Sequence, residues 1–509
     1  MKTTLGLLAA TALLSATASA QDIAPRAEAT TGALREPVVV DPWTGRSEGD
    51  IRHLDQRLNS IIVADFSALE APQVPDTLLE GRTVLLKDNI EAREWPTTAG
   101  SLALADNATG RDAPLVANLR RNGGVVLGKT NLSEWANFRS TNSTSGWSGV
   151  GGQTRNPHAT DRNACGSSSG SGAAVAAGFA WAAIGTETDG SITCPASVNG
   201  VVGFKPTVGM VSRARVVPLS ESQDTAGPMT RSVPDAALLL TAIAGSDPLD
   251  PATAQADQYY GDFTVGLSDA SLEGVRVGVV RNRYGGFEPL RLVWEQALED
   301  LRAAGAELVD VEFTPNGEMG EAEYTVLLHE FQRDIDTYLK DSPADIPVRS
   351  LEDLIAFNEA NAEREMRWFG QEIFEAALET TDTEAYEEAL ATSRRLAREE
   401  GIDAMLAAND VALLVVPTRG PAWNVDLILG DQFNGGIGIG SLAAVAGYPH
   451  LTVPMGHIEG LPVGLSFIGR QWDDHAILKA GAAYERARTA EIPEPRFAPW
   501  EPWSPTPGQ

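Results

Sequence analysis

An α/β fold is what this sequence predicts, and three observations carry the prediction. Short apolar runs ending in turn residues alternate with segments of helical spacing, so strands and helices follow one another along most of the chain. Some of those runs, Thr83-Val84-Leu85-Leu86 and residues 411–417 among them, read as short apolar strands. The composition, 43% hydrophobic and 21% charged over 509 residues, supplies one large core and contains no low-complexity tract or repeat. Length alone would allow several domains at ~150 residues each, but no linker interrupts the chain, and residues 21–509 are expected to form a single domain.

Residues 1–20 stand apart. Lys2 gives a basic start, residues 5–14 are apolar, and Ala16-Thr17-Ala18-Ser19-Ala20 ends in an A-x-A-like site, the layout of a secretory signal peptide cleaved after Ala20. A membrane anchor is the weaker alternative, because the apolar run falls well short of the ~20 residues a span needs. No later segment is long and apolar enough to cross a bilayer. The mature protein is therefore expected to be periplasmic or secreted.

Residues 21–45, rich in Pro, Ala and Glu, read as an extended arm. Residues 48–71 place Ile51, Leu54, Leu58, Ile61 and Ile62 at helical spacing. The strand at 83–86 runs into Lys87-Asp88-Asn89-Ile90. Residues 115–122 read as a helix and 125–131 as a strand and turn. After the central stretch treated below, 201–206 end another strand, and 234–243 form a helix with Pro near its start. Residues 275–280 (strand), 289–304 (helix opened by Pro289 and closed by Gly305) and 306–311 (strand) make a βαβ-like unit. Residues 321–399 are strongly helical and rich in Glu and Arg, with Leu351, Leu354 and Ile355 on an apolar stripe. This added layer reads equally as the wall or lid of a pocket and as a solvated face. Residues 411–417 are a fully apolar strand. Residues 420–439 are Gly-rich, with Trp423 and Phe433 as either pocket lining or core. Residues 442–447 are small and apolar, 451–454 and 463–469 are strands, and the Pro- and Trp-rich tail from Ile492 is expected to wrap the surface.

The formal net charge is −30. Nucleic acid attracts basic surfaces, so this balance argues against such a partner. It favours a soluble, self-repelling particle, and a monomer is expected. The two cysteines, Cys165 and Cys194, lie close in sequence to serines singled out below. Two buried free thiols are the expectation, and export would also permit a disulfide. Two cysteines cannot make a zinc cluster alone, and the six histidines show no ligand spacing, so neither a metal nor a cofactor is expected.

Chemistry concentrates in residues 152–213. Two serine-bearing glycine loops, Gly166-Ser167-Ser168-Ser169-Gly170 and Thr188-Asp189-Gly190-Ser191, flank a run of Ala, Val and Gly too small and apolar for a surface helix. It is expected to be a buried helix that fixes one loop against the other. The order is a G-S-S-S-G loop, an Ala/Gly-rich run, a G-x-E-T-x-G-S-I turn and then G-x-K-P-T. This long pattern resembles the amidase signature family, and K-D-N-I at Lys87 together with G-Y-P-x-L-T-V-P…G-L-P-V-G-L-x-F-x-G near the C-terminus extend the resemblance from about Pro72 to Arg488. Within that family the pieces TNLSEWANFRS, GTETDGSITCP and SQDTAGPMTRSV resemble the bacterial peptide amidases, which hydrolyse C-terminal amides of peptides.

The resemblance implies an amidase-signature fold, a large mixed β-sheet covered by helices on both sides. It also implies a Ser–Ser–Lys triad. Ser191 would be the nucleophile, Lys87 the base, and Ser167, behind a cis peptide bond from Gly166, the proton relay. Each has a plainer reading: serines beside glycine form turns, and a lysine after an apolar strand can snorkel to the surface. Their joint match to the family outweighs those readings. Ser–Lys arrangements are an established alternative to Ser–His–Asp. A lysine acts as a base only when neutral, and the apolar strand before Lys87 would lower its pKa by burial. The oxyanion would lie against the backbone N–H groups of Thr188, Asp189, Gly190 and Ser191. Family members usually carry Gly at the position of Asp189, often Arg at that of Thr193, and commonly Gly at that of Cys165; these departures leave the substrate class open. The expected activity is hydrolysis of a carboxamide to carboxylate and ammonia through an acyl-enzyme. The alternatives are a glutamyl-tRNA amidotransferase-like subunit, which the leader and the acidity oppose, and an inactive binding protein on the same fold, which the intact triad opposes.

Overall fold

Thirteen strands are present among residues 39–70 and 75–503, the residues described by the computed structural model. In chain order they are β1 (Ile61–Ala64), β2 (Thr83–Lys87), β3 (Val125–Thr130), β4 (Trp147–Ser148), β5 (Gly152–Gln153), β6 (Ala182–Glu187), β7 (Val202–Lys205), β8 (Thr225–Thr230), β9 (Arg276–Val280), β10 (Glu307–Val311), β11 (Leu413–Pro417), β12 (His450–Ile458) and β13 (Leu461–Ile468). Eleven of them form one mixed sheet in the order β1-β3-β2-β6-β8-β7-β12-β13-β11-β9-β10, and β4 pairs with β5 as a small ribbon. Pairing is parallel for β3-β2-β6 at one end and β11-β9-β10 at the other, and antiparallel through the centre.

Successive side chains on a strand point to opposite faces. Val84, Leu86, Ile184, Val277 and Val415 share one core with Leu115 and Leu119 of helix Pro114–Arg121, Leu239 of Val233–Ile243, Leu298 of Glu288–Ala303 and Leu478 of Asp474–Ala487. Leu85, Leu127 and Ala183 face the other way, onto Ile51 of helix Glu48–Asp55 and Ala174 and Val175 of helix Ser169–Ala176. Leu414 and Val416 continue that second face onto Leu406 of helix Asp403–Asn409 and Leu442 of helix Gly440–Ala446. The sheet is thus covered by helices on both sides, and the near-continuous apolar strands follow from that double burial.

The helical layer is present as helices Gly317–Asp341, Leu351–Ala360, Ala362–Glu365, Glu372–Glu379 and Thr383–Ala397. The first buries Leu328, Phe331, Ile335 and Leu339, at helical spacing, against Trp135, Phe138, Leu219 and Phe374. The layer therefore packs on the segments that flank the serine loops, with one face inward.

Several local expectations are corrected. Residues 48–71 are not one helical segment: the helix stops at Asp55, whose carboxylate accepts the N–H groups of Ser60 (2.8 Å) and Ile61 (3.3 Å). Asn59 adopts positive φ, and Ile61 enters β1. The Ala/Gly run is a helix only over Ser169–Ala176; Gly178, at φ +72°, ends it, and the rest becomes β6. The leader at 1–20 and residues 21–38 of the arm lie outside the described residues. From Val39 the chain turns rather than extends, with Gly45 N–H bonded to Asp41 O at 2.7 Å. The tail lies across the surface, Phe497 N–H reaching Pro157 O (2.9 Å) and Trp500 Nε1 reaching Glu459 O (3.0 Å). Among the described residues no helix is long and apolar enough to cross a membrane.

Candidate active site

The parallel strands β2 and β6 end side by side, and the site lies beyond their carboxyl ends, where open α/β sheets bind ligands. Lys87 is the last residue of β2 and has the same parity as Leu85. Its side chain therefore points to the face covered by helix Ser169–Ala176, whose preceding loop carries Ser167. The helix is all Ser, Gly, Ala and Val, which lets its backbone sit close to the sheet. A Cβ on Gly170 would come within 2.3 Å of Ser60 O and 2.5 Å of Asn131 O.

Lys87 is fully buried. Its Nζ has three neighbours at hydrogen-bond distance: Ser167 Oγ (2.8 Å), Thr186 Oγ1 (2.8 Å) and Thr186 O (3.2 Å). None is a carboxylate. Burial pulls the ammonium down to about 7, against the opposing fields of Asp224 and Glu187. Asn89 Nδ2 donates to the same Thr186 hydroxyl at 3.0 Å. Ser168 ties the loop to the β6 end: its Oγ donates to Thr186 O (3.0 Å) and accepts from Thr186 N–H (3.2 Å), and its own N–H donates to Ser191 O (3.1 Å). The Gly166–Ser167 peptide bond is cis.

Ser191 follows β6 in the turn Thr188-Asp189-Gly190 and is 8% exposed, lining a cavity of about 330 Å³. Gly190 takes φ +78° there, a conformation that favours glycine. Two carboxylates hold the turn. Glu187 Oε2 accepts the N–H groups of Ile192 (2.8 Å) and Thr193 (2.9 Å), and Asp224 accepts the Thr188 hydroxyl (2.5 Å). Among the described residues no protein acceptor takes the backbone N–H groups of Asp189, Gly190 or Ser191. The side chain of Asp189 is exposed where two open cavities meet. The protein around it displaces bulk water and pushes its carboxyl up to about 6, against the lowering influence of the nearby Ser441. Burial, reinforced by the charge of Asp189, pushes Glu323 of the helical layer up to about 8; it accepts from Gln223 Nε2 (2.9 Å), which also donates to Thr188 O (3.2 Å).

Cys165 and Cys194 form a disulfide, which corrects the free-thiol expectation. The fold brings their Cα atoms to 6.0 Å, inside bridging range. The bond ties the loop before Ser167 to the helix after Ser191, and both cysteines line the cavity. Trp423 and Phe433 line it too, as does Leu327 of the helical layer, so that layer forms part of the wall. His450 borders an adjoining cavity; burial keeps it neutral, down to about 3, and its Nε2 bonds Ser466 Oγ at 2.7 Å.

Sequence reasoning missed Thr186, Glu187, Asn89, Asp224 and Arg419. The first two stand inside the G-x-E-T-x-G-S-I turn and Asn89 inside K-D-N-I, so those motifs held the signal. Arg419 stands two residues beyond the apolar strand β11, and no motif pointed to it.

The model of the Amidase family matches residues 50–478. The crystal structure of native peptide amidase from Stenotrophomonas maltophilia is similar to this chain at TM-score 0.82 and 49% identity, over 88% of this chain and 93% of that one. A probable amidase of Arabidopsis thaliana is 37% identical over 88% of this chain and 86% of its own length. One subunit of the glutamyl-tRNA(Gln) amidotransferase of Caldanaerobacter subterraneus is 31% identical over 86% of this chain and 91% of its own length.

Proposed function

This chain belongs to the Amidase family and hydrolyses amides, a premise from which we propose that its substrates are linear carboxamides, C-terminal amides of peptides or N-acylated amino acids, cleaved to carboxylate and ammonia. The observation that carries the mechanism is Lys87: a fully buried amine, lowered to about 7, with Ser167 as one of its three partners and no carboxylate among them. A neutral amine has two N–H donors and one lone pair. Donation to Thr186 O and Thr186 Oγ1 leaves the lone pair for the Ser167 O–H.

In this mechanism Ser191 Oγ attacks the carbonyl carbon, its proton passes to Ser167, and that of Ser167 passes to Lys87. The oxyanion takes the backbone N–H groups of Thr188, Asp189, Gly190 and Ser191, of which the last three have no protein acceptor. The C–N bond then breaks, ammonia leaves with the proton held by Lys87, and water repeats the sequence to release the carboxylate and restore Ser191.

Similarity to the peptide amidase, at 49% identity, supports the substrate reading. The pocket lined by Trp423, Phe433 and Leu327 has room for an acyl group larger than a simple amide's. Export is part of the proposal, on the leader pattern at residues 1–20 and on a disulfide of the kind that persists in oxidising compartments. The test is ammonia release across free amides, peptide C-terminal amides and aryl acylamides. Peptide amides are expected to give the highest kcat/KM; a clear preference for aryl acylamides or free glutamine would overturn the substrate reading.

A further inference from the structure

Two cavities meet at the turn that carries Ser191. The larger, of about 330 Å³, contains Ser191; the second, of about 200 Å³, lies beyond Asp189 and Gly190. Arg419 lines both. It stands two residues past β11, on backbone tied to the sheet by Thr418 N–H bonded to Gly464 O at 2.8 Å. Its guanidinium lies over the Phe433 ring at 3.8 Å from the centroid, with Trp423 at 5.8 Å.

This guanidinium has no hydrogen-bonded or ion-paired partner among the described residues, and its Nε is buried and unsatisfied. Such a group is an exception that calls for an explanation, since a guanidinium carries five donors. The carboxylates of Asp189 and Asp431 act on it through their fields, but neither comes within ion-pair distance. Asp431 is already taken by Ser145 N–H (3.1 Å), Ser145 Oγ (2.5 Å), Asn163 Nδ2 (3.2 Å) and Trp423 Nε1 (3.1 Å). Arg419 is thus a fixed fork of donors, stacked in place and open to the cavity that holds Ser191.

We propose that Arg419 is a specificity-determining residue whose guanidinium hydrogen-bonds a main-chain carbonyl oxygen in the acyl part of the substrate, upstream of the scissile carboxamide. The acceptor is neutral because Asp189 and Asp431 flank the site: a substrate carboxylate would meet two like charges, whereas an amide carbonyl meets none. The inference rests on the peptide-amide reading and adds what the substrate must carry, a second carbonyl.

The test compares two amides built on the same 3-phenylpropanamide frame, N-acetyl-L-phenylalaninamide and 3-phenylpropanamide itself, which lacks the acetamido group and its carbonyl. kcat/KM for ammonia release is measured in the wild type, Arg419→Met and Arg419→Lys. The wild type is expected to favour the acetylated amide by about 10- to 100-fold, the range for a hydrogen bond to a charged donor. Arg419→Met should collapse that ratio toward one, and Arg419→Lys should restore part of it. Because the readout is a ratio within each protein, partial misfolding does not mimic the effect. A wild type that cleaves only 3-phenylpropanamide, or neither compound, contradicts the peptide-amide reading itself. A strong wild-type preference that survives in Arg419→Met overturns the role of Arg419 alone.

Discussion

Lys87 and Lys129 stand one step apart on neighbouring strands and are both fully buried, yet the fold treats them in opposite ways. The register pairs Leu86 with Lys129 and Lys87 with Thr130, so the two side chains leave the sheet on opposite faces. On one face Lys129 Nζ meets the Asp88 carboxylate at 2.6 Å and Thr97 Oγ1 at 3.2 Å, a closed ion pair in the core. On the other, Lys87 meets two hydroxyls and a carbonyl, and burial lowers its pKa to about 7. Burial alone therefore does not make a lysine a base. Lys129 has a carboxylate at its Nζ and Lys87 has none, and burial of an amine without a charged partner favours its neutral form.

The contrast is sharpest on substitution. Lys87→Met should lower kcat/KM by about 10³-fold or more while changing unfolding free energy by under ~1 kcal/mol, since it removes a base and strands no charge. Steady-state ammonia release and urea unfolding on the same protein check both halves. Lys129→Met should do the reverse. It leaves Asp88 buried without its partner and should cost about 3–5 kcal/mol of stability; a Lys129→Met protein as stable as wild type would break the comparison.

Smaller effects sharpen it further. Replacing both Cys165 and Cys194 by Ala opens a loop with a sequence separation of 29 residues. Loop entropy puts the loss at about 3.5 kcal/mol, read as a lower denaturation midpoint, and kcat should fall as the Ser167 loop and the Ser191 helix lose their tie. Thr186→Val removes an acceptor from Lys87 Nζ and should lower kcat about tenfold. Because that hydroxyl favours the ammonium, the acid limb of the pH profile should move to lower pH; a limb that moves up would contradict the assigned hydrogen bond.

Legibility followed the same division. The α/β class could be read because short, largely apolar strands such as residues 83–86 and 411–417 alternate with helical segments along the chain. Lys87, Ser167 and Ser191 could be named from motif order, but the sequence could not say what surrounds them. Thr186 Oγ1 reaches Lys87 across 99 positions, a contact made by the pairing of β2 with β6. The helical signal over 48–71 misled because apolar spacing says nothing of Asp55, whose carboxylate captures the N–H groups of Ser60 and Ile61 and stops the helix. The disulfide was undecidable from spacing, since it depends on how two loops meet in space. The helical layer read equally as wall and as solvated face because only the packing of Leu328, Phe331 and Ile335, and the reach of Leu327 into the cavity, distinguish the two.

The central claim is that Lys87 is neutral at working pH, and its direct test is a titration of that side chain. With lysines labelled at Cε and the Lys87 signal assigned by its loss in Lys87→Met, NMR should show Lys87 titrating near 7, and wild-type kcat/KM should fall about tenfold per pH unit below the same value. A Lys87 that titrates near the ~10.4 of a free lysine, with activity still flat between pH 6 and 8, would contradict the account.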